Sequence, residues 1–220
     1  MLREEDKKLI KKLFDEKLKN NVKIIFFTQN LNCDYCYDTE RILNEISELS
    51  DKIKVEKYNF ITDSQKAEKW NVDKTPAIII TDEEENIKGI RYFGIPAGYE
   101  FSSLIEDIIM VSSNESGLSE RVINKLSKIQ NKTHIMIFVT PTCPYCPRAV
   151  RTAHKFALEN PNIISDMIEA IEFPDLADRY FVQAVPKIVI NDNVSFEGAL
   201  PDEMFLEYVL KAQEDNYASS

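Results

Sequence analysis

The sequence has little glycine and histidine and no excess of positive charge, and each shortage excludes a class of function. Only five of the 220 residues are glycine, and no G-x-G-x-x-G turn or glycine-rich phosphate loop can be built from them. Two histidines, His134 and His154, do not predict a metal centre or a catalytic triad. A formal net charge of −10 argues against a nucleic-acid-binding surface.

Long apolar runs are also missing. No stretch approaches the roughly 18–20 apolar residues that a membrane-spanning helix needs, so we expect no membrane association. The first ten residues are charged and amphipathic and lack the apolar centre of a signal peptide. We therefore expect a cytoplasmic protein.

The sequence concentrates its chemistry in four cysteines. They form two C-x-x-C motifs, Cys33-Asp34-Tyr35-Cys36 and Cys143-Pro144-Tyr145-Cys146, which lie 110 positions apart. A C-x₂-C pair repeated at this long spacing is unlike a zinc ribbon, so we expect no bound metal. A disulfide within a C-x-x-C motif closes too short a loop to contribute much stability. Redox chemistry is therefore the interpretation that we favour.

The same 110-residue shift superimposes other features. Thr75-Pro76 falls on Val185-Pro186, and each proline opens a β-branched run that is typical of a buried strand. The sequence therefore predicts an internal duplication. We call residues 1–114 the first half and residues 115–220 the second half, with a linker of small polar residues expected near 112–117.

Hydrophobic periodicity predicts the same order of elements in both halves: helix, strand, helix, strand, short helix, β-hairpin and final helix. The second helix of each half is expected to begin at or next to the first cysteine of the motif. The predicted helices are 3–19, 33–49, 63–70, 101–110, 119–130, 144–159, 175–181 and 202–212; the predicted strands are 22–28, 53–58, 77–81, 90–93, 134–139, 162–168, 187–190 and 193–197.

A βαβ unit followed by a helix and a β-hairpin, with C-x-x-C at the first strand–helix junction, is the thioredoxin arrangement. With two such motifs and two matching prolines, the chain resembles the tandem thioredoxin-fold protein disulfide oxidoreductases of thermophilic archaea and bacteria, which are glutaredoxin-like and PDI-like. Residues 89–101 also resemble that family. The resemblance implies an α/β fold with two tandem thioredoxin-fold domains, 1–114 and 115–220, each a central mixed four-stranded sheet flanked by helices.

Disulfide exchange requires a thiolate, and a free cysteine is mostly protonated near neutral pH. A helix N-terminus lowers the pKa of a nearby thiol because its unbonded N–H groups and the positive end of its dipole stabilise the anion. We therefore expect Cys33 and Cys143 to be the nucleophiles, with Pro144 at the first position of its helix. Cys36 and Cys146 are then the resolving thiols.

The resemblance also implies that Thr75-Pro76 and Val185-Pro186 are cis peptides that lie opposite the motifs and bind substrate. A proline without an N–H helps to leave neighbouring backbone groups free to pair with an extended substrate segment. Thr75 and Val185 would then touch the substrate directly.

Thioredoxin itself has a buried aspartate six residues before its first motif cysteine, and here Phe27 and Ile137 occupy that place. The proton of the resolving thiol must therefore go to water or to another group, for which Glu56 and Asp166 are candidates. The dipeptides also differ, because Asp34 in the first motif is acidic and Pro144 in the second is neutral. We expect the second site to be the more oxidising.

Three classes of function remain open. The first is a protein disulfide oxidoreductase that reduces, forms or isomerises disulfides and receives electrons from a separate thioredoxin-reductase-like flavoprotein. No flavin or nicotinamide motif is visible, so no resident cofactor is expected. Because Cys-Pro-Tyr-Cys is also the glutaredoxin motif, glutathione is a candidate partner.

The second class is a dedicated electron carrier between a flavoprotein reductase and one partner, such as a peroxidase. The fused thioredoxin module of alkyl hydroperoxide reductase flavoproteins has that role, but its first half lacks the C-x-x-C motif that is present here. The third class is a non-catalytic scaffold or metal-binding module.

Overall fold

The computed structural model describes residues 2–217, which contain eight helices and eight strands. The first half contains α1 (Glu4–Lys17), β1 (Val22–Thr28), α2 (Cys36–Ser47), β2 (Ile53–Asn59), α3 (Ser64–Lys69), β3 (Ala77–Asp82), β4 (Ile90–Phe93) and α4 (Glu100–Ser113). The second half contains α5 (Glu120–Leu126), β5 (Thr133–Val139), α6 (Cys146–Glu159), β6 (Ile163–Glu169), α7 (Pro174–Arg179), β7 (Lys187–Ile190), β8 (Val194–Glu197) and α8 (Asp202–Tyr217). No described helix is both long and apolar enough to cross a bilayer.

The eight strands form one sheet in the order β2-β1-β3-β4-β6-β5-β7-β8. Within each half, the first two strands are parallel and the remaining pairs are antiparallel, which gives the mixed four-stranded sheet expected from the sequence. The two sheets join through β4 and β6, which pair in parallel with Arg91 opposite Asp166. We call this junction the seam.

Side chains on the two faces of the sheet pack into separate cores. Alternate residues of β1 show the pattern: Ile24 and Phe26 pack beneath α1, α2 and α4, whereas Ile25 and Phe27 pack beneath α3. The larger core continues across the seam beneath α6 and α8. Successive residues of a strand point to opposite faces of the sheet, and here both faces are covered by an apolar core. These strands are therefore continuous apolar runs in the sequence.

Several helix boundaries differ from the prediction, including the end of α5, which stops at Leu126 rather than at residue 130. The helices after the C-x-x-C motifs begin at Cys36 and Cys146 rather than at or next to the first cysteines, so Pro144 precedes its helix and Pro147 lies in the first turn. Helix α4 extends into the expected linker, where the Ser112 hydroxyl accepts the N–H of Lys19 and of Asn20 and donates to the Asn20 carbonyl. Helix α8 runs on to Tyr217.

Candidate active site

The first C-x-x-C motif forms a disulfide between β1 and α2. Cys33 and Cys36 are bonded, with their Cα atoms 5.5 Å apart. Cys36 is buried at the start of α2, whereas Cys33 is half-buried and precedes the helix. Both residues of the dipeptide, Asp34 and Tyr35, are exposed. The half-buried Cys33 sulfur is therefore the one that a partner can reach.

The second motif forms the equivalent disulfide between β5 and α6. The backbone N–H of Cys146 donates to the Cys143 sulfur at 3.1 Å, and the Val185 carbonyl oxygen is 3.7 Å from the same sulfur. Cys146 is fully buried, and Cys143 is 7% exposed. A backbone N–H directed at Cys143 would stabilise its thiolate after reduction, although the helix begins later than expected.

Both predicted cis peptides are present, at Thr75-Pro76 and Val185-Pro186. In the first half, Ala77 pairs with Phe27 near the C-terminal end of β1. Pro76 therefore lies at the same end of the strands as the loop that carries Cys33. In the second half the contact is direct, through the Val185 carbonyl and the Cys143 sulfur. In each half, the structure thus brings the proline and the C-x-x-C motif to the same end of the strands.

A groove of about 330 Å³ lies beside Val185 at the second site. Its walls come from the end of β5, from the segment after β6 and from α7, and include Thr140, Ala170, Ile171, Pro174 and Val182. The groove offers an extended, largely apolar surface next to the Cys143 disulfide.

The two proton acceptors suggested by the sequence are engaged elsewhere. Burial raises the pKa of Glu56, but Lys54, the Tyr58 hydroxyl and Lys23 outweigh it and hold that pKa below its usual value. Asp166 lies at the seam, where burial is outweighed by Arg91 and His134, so its pKa is also lowered. Neither carboxylate is suited to take a proton from a thiol near neutral pH.

Glu100, which the sequence analysis did not single out, is a buried carboxylate beside the second site. The N–H of its neighbour Tyr99 donates to the Pro141 carbonyl, two residues before Cys143, at 3.0 Å. Burial raises the pKa of Glu100 to about 7, although Ser103 donates a hydrogen bond to it. Its Oε1 atom has no hydrogen-bond partner among residues 2–217.

Helices α4 and α6 run side by side from this point. Seven residues along α4 from Glu100, Asp107 contacts His154 of α6 at 2.5 Å, and His154 lies eight residues after Cys146. Both helices rise by about 1.5 Å per residue, so Glu100 and Cys146 lie within one helical turn of each other along the helix axes. The signal in the sequence was a glutamate in the first turn of α4, six and seven residues before the other two acidic residues of that helix.

The two histidines, which no sequence motif had marked, both lie against buried aspartates at the seam. His134 Nε2 is 2.7 Å from Asp166 on one face of the sheet, and His154 Nδ1 contacts Asp107 on the other. The Tyr92 hydroxyl also donates to Asp107. Within the described residues, no group of histidine, cysteine and acidic side chains is arranged to hold a metal ion.

Comparisons with known proteins agree with this geometry. The sequence matches the thioredoxin-domain family over residues 20–105 and 133–211. A protein disulfide oxidoreductase from Aeropyrum pernix superimposes with a TM-score of 0.90 at 35% identity, covering 98% of this chain and 95% of the other. An N-terminal domain of alkyl hydroperoxide reductase AhpF from Enterococcus faecalis superimposes with a TM-score of 0.88 at 25% identity, covering 95% of this chain and 100% of that one.

Curated relatives are longer. The alkyl hydroperoxide reductase AhpF of Staphylococcus aureus is 28% identical over 87% of this chain but only 34% of its own length. An NADH dehydrogenase of Bacillus subtilis is 28% identical over 79% of this chain and 31% of its own length. The chain thus spans about a third of the curated relatives that it matches.

Proposed function

The chain belongs to the thioredoxin-domain family, and from that premise we propose that it is a dithiol–disulfide oxidoreductase acting on protein disulfides through two redox sites. One observation carries the proposal. Each half contains a C-x-x-C disulfide between a strand and a helix. In the second half, the Cys143 sulfur contacts both the Cys146 N–H and the carbonyl oxygen of Val185, the residue before the cis proline. The tandem arrangement with an N-terminal domain 1–114 and a C-terminal domain 115–220 is part of the proposal.

Reduction of a substrate proceeds in two exchanges. The Cys143 thiolate attacks one sulfur of the substrate disulfide, the substrate S–S bond breaks, and a mixed disulfide forms while the first substrate thiolate leaves and is protonated. Cys146 then loses its proton and attacks the Cys143 sulfur, which releases the second substrate thiol. Two electrons and two protons have passed to the substrate, and the Cys143–Cys146 disulfide remains. Cys33 and Cys36 act in the same way in the first half, and oxidation of a substrate is the reverse.

The residues before the two prolines form the proposed substrate platform. Thr75 and Val185, with Pro76 and Pro186, would present backbone groups to an extended segment on either side of the substrate cysteine. The groove beside Val185 supports this role at the second site, because it continues the platform away from the sulfur.

Electrons must enter from a partner, and we propose a separate thioredoxin-reductase-like flavoprotein as the donor. The likeness to alkyl hydroperoxide reductase AhpF supports a redox partnership of this kind. Glutathione is proposed as a second partner because the Cys143 motif has the glutaredoxin sequence. A cytoplasmic location is proposed on the same basis, since the reduced dithiol state must be regenerated there by the reductase.

The same likeness favours a second candidate, a dedicated electron carrier between a flavoprotein and a single partner such as a peroxidase. The two candidates differ in breadth of substrate. A general oxidoreductase reduces many unrelated protein disulfides, whereas a dedicated carrier reduces one partner rapidly and others slowly.

Insulin reduction with dithiothreitol as electron source tests the proposal. We expect the unaltered protein to accelerate insulin precipitation, Cys33→Ser and Cys143→Ser each to retain part of the rate, and the double variant to retain none. Extending the assay to several unrelated disulfide proteins separates the two candidates. An uncatalysed rate for insulin and for every other substrate would instead favour the non-catalytic scaffold.

A further inference from the structure

A groove of about 290 Å³ lies between the two C-x-x-C motifs. One wall is the first motif and the start of α2, and the other is formed by Pro141, two residues before Cys143, and by the end of β6 with the segment after it. We call this the inter-motif groove; it is lined by Tyr35, Asp38, Arg41, Ile42, Ile95, Ala97, Pro141, Glu169, Ile171 and Glu172. A polypeptide bound at either disulfide would pass close to it.

The acidic wall of the groove has two carboxylates, and neither forms a salt bridge with a described cationic side chain. Glu169 is 3% exposed, and its Oε2 accepts the N–H of Glu172 at 2.7 Å, but its Oε1 has no partner among the described residues. Glu172 Oε1 accepts the N–H of Ile95 at 2.5 Å. Burial raises the pKa of both carboxyls, that of Glu172 to about 7, with Asp34 of the first motif adding to the rise.

Gly94 allows this acidic wall to form. The residue has a φ of 93°, and a Cβ added there would lie 2.5 Å from the Glu169 Cβ and 2.8 Å from the Glu172 carboxylate. Only glycine accepts both the backbone conformation and the close approach of the two glutamates. The missing side chain at Gly94 therefore leaves room for Glu169 and Glu172 of the second half close to the Cys33 motif of the first half.

The positive charge already present in the groove is engaged elsewhere. Arg41 Nη1 lies 3.6 Å from Asp38, and its guanidinium covers the Tyr37 ring at 5.6 Å. The remaining lining is apolar or aromatic, and Ile171 at the rim is 68% exposed. Within residues 2–217, no arrangement of acidic and other donor groups suits a metal ion. These features fit a long side chain with an aliphatic stem and a cationic end.

We propose that the inter-motif groove is a specificity pocket that binds a lysine or arginine side chain of the polypeptide substrate next to the disulfide that the Cys33 site reduces. The inference rests on the proposed function. The stem would pack on Tyr35, Ile42 and Ile95, and the charged end would pair with the partly exposed carboxylate of Glu172. The buried Glu169 carboxylate behind it would add negative charge to the pocket.

The test uses the 220-residue chain with Cys143→Ser and Cys146→Ser, so that only the first site works. The probes are nonapeptide dimers joined through a central cysteine, with lysine, norleucine or glutamate placed at each flanking position in turn. Rates are measured at about pH 8, where Glu172 is mostly ionised. At one or two positions we expect kcat/KM to be about tenfold higher for lysine than for norleucine, mainly through a lower KM, and lowest for glutamate.

The matched variant is Glu172→Gln, whose amide oxygen can still accept the Ile95 N–H. We expect it to abolish the lysine preference, measured as the ratio of kcat/KM for lysine and norleucine peptides on the same variant, because a changed reactivity of Cys33 affects both peptides equally and cancels in that ratio. Glu115→Gln, an exposed glutamate paired with Lys19, serves as the control and should keep the preference. Equal rates for lysine and norleucine at every position, or a preference that survives Glu172→Gln, would overturn the inference.

Salt dependence provides a second measurement that needs no change in the groove. The lysine preference should shrink severalfold when ionic strength rises to about 0.5 M, because screening weakens the ion pair. A preference unaffected by salt would contradict binding of a cation. If none of the peptides and no protein disulfide is reduced, the proposed function itself fails and the inference fails with it.

Discussion

Arg91 of the first half and Asp166 of the second half form a bidentate salt bridge across the seam. Arg91 Nε and Nη2 donate to the two carboxylate oxygens at 2.7 and 2.8 Å, and both side chains are almost fully buried. Arg91 Nη1 donates to the Trp70 and Asn71 carbonyls, and His134 Nε2 lies 2.7 Å from Asp166. The pair ties α3, β4, β5 and β6 into one unit.

The first prediction is that Asp166→Asn lowers the free energy of unfolding by about 3–5 kcal/mol. The substitution leaves the Arg91 charge buried without its counterion, and that penalty is large. Urea denaturation followed by circular dichroism measures the change, with the exposed Asp15→Asn as control. An effect below about 1 kcal/mol would mean that the seam is held by its strand pairing and apolar contacts alone.

The second prediction concerns Glu100, whose pKa is raised from 4.5 to about 7 by burial. Because the folded state then binds a proton more tightly than the unfolded state, this group makes stability fall as pH rises from about 4.5 to 7. Glu100→Gln should match the unaltered protein near pH 4 and exceed it in stability by up to about 3 kcal/mol at pH 8. Chemical denaturation at several pH values measures this difference.

Glu172, whose pKa is also raised to about 7, is present in both proteins, so the comparison isolates Glu100. Parallel stability curves for the two proteins would show that Glu100 ionises in the folded state at its ordinary pKa.

The third prediction is that Cys33 and Cys143 of the reduced protein are alkylated well before Cys36 and Cys146. The first cysteines precede the helices, and the Cys143 sulfur accepts the Cys146 N–H, whereas Cys36 and Cys146 are the more deeply buried member of each pair and begin the helices. Mass spectrometry after brief alkylation at about pH 6 identifies the labelled residues. Equal labelling of all four, or faster labelling of the second cysteines, would reverse the assignment of nucleophile and resolving thiol.

The fourth prediction is that the Cys143–Cys146 pair is more oxidising than Cys33–Cys36 by about 30 mV, which corresponds to about one unit of thiol pKa. Asp34 follows Cys33 directly in the first motif and lies close enough to Glu172 to help raise its pKa, whereas Cys143 receives the Cys146 N–H. Negative charge disfavours a thiolate, and a hydrogen-bond donor favours it. Redox titration against glutathione of proteins carrying Cys33→Ser or Cys143→Ser measures the two potentials; coincident values or the opposite order would refute the charge argument.

The sequence by itself determined the duplication, the order of elements and the fold class. The C-x-x-C motifs and the two prolines recur at a constant spacing, and strands such as β1 and β5 carry enough β-branched and aromatic residues to be recognised locally. The cis peptides at Pro76 and Pro186 followed from the resemblance that these features carried. Helix starts were misplaced by about three residues because a turn and a first helical turn have similar local sequences.

Only the tertiary structure decided how the two halves meet. The pairing of β4 with β6 aligns residues that are far apart in the chain, and no local periodicity encodes that register. It places Arg91 opposite Asp166, sets Glu100 beside the second site and brings Glu172 against Gly94 near the first. The sequence did not mark Glu100 or Glu172 and suggested a different role for Asp166, because the chemistry of these side chains arises from burial between the halves and from the charges that the other half supplies.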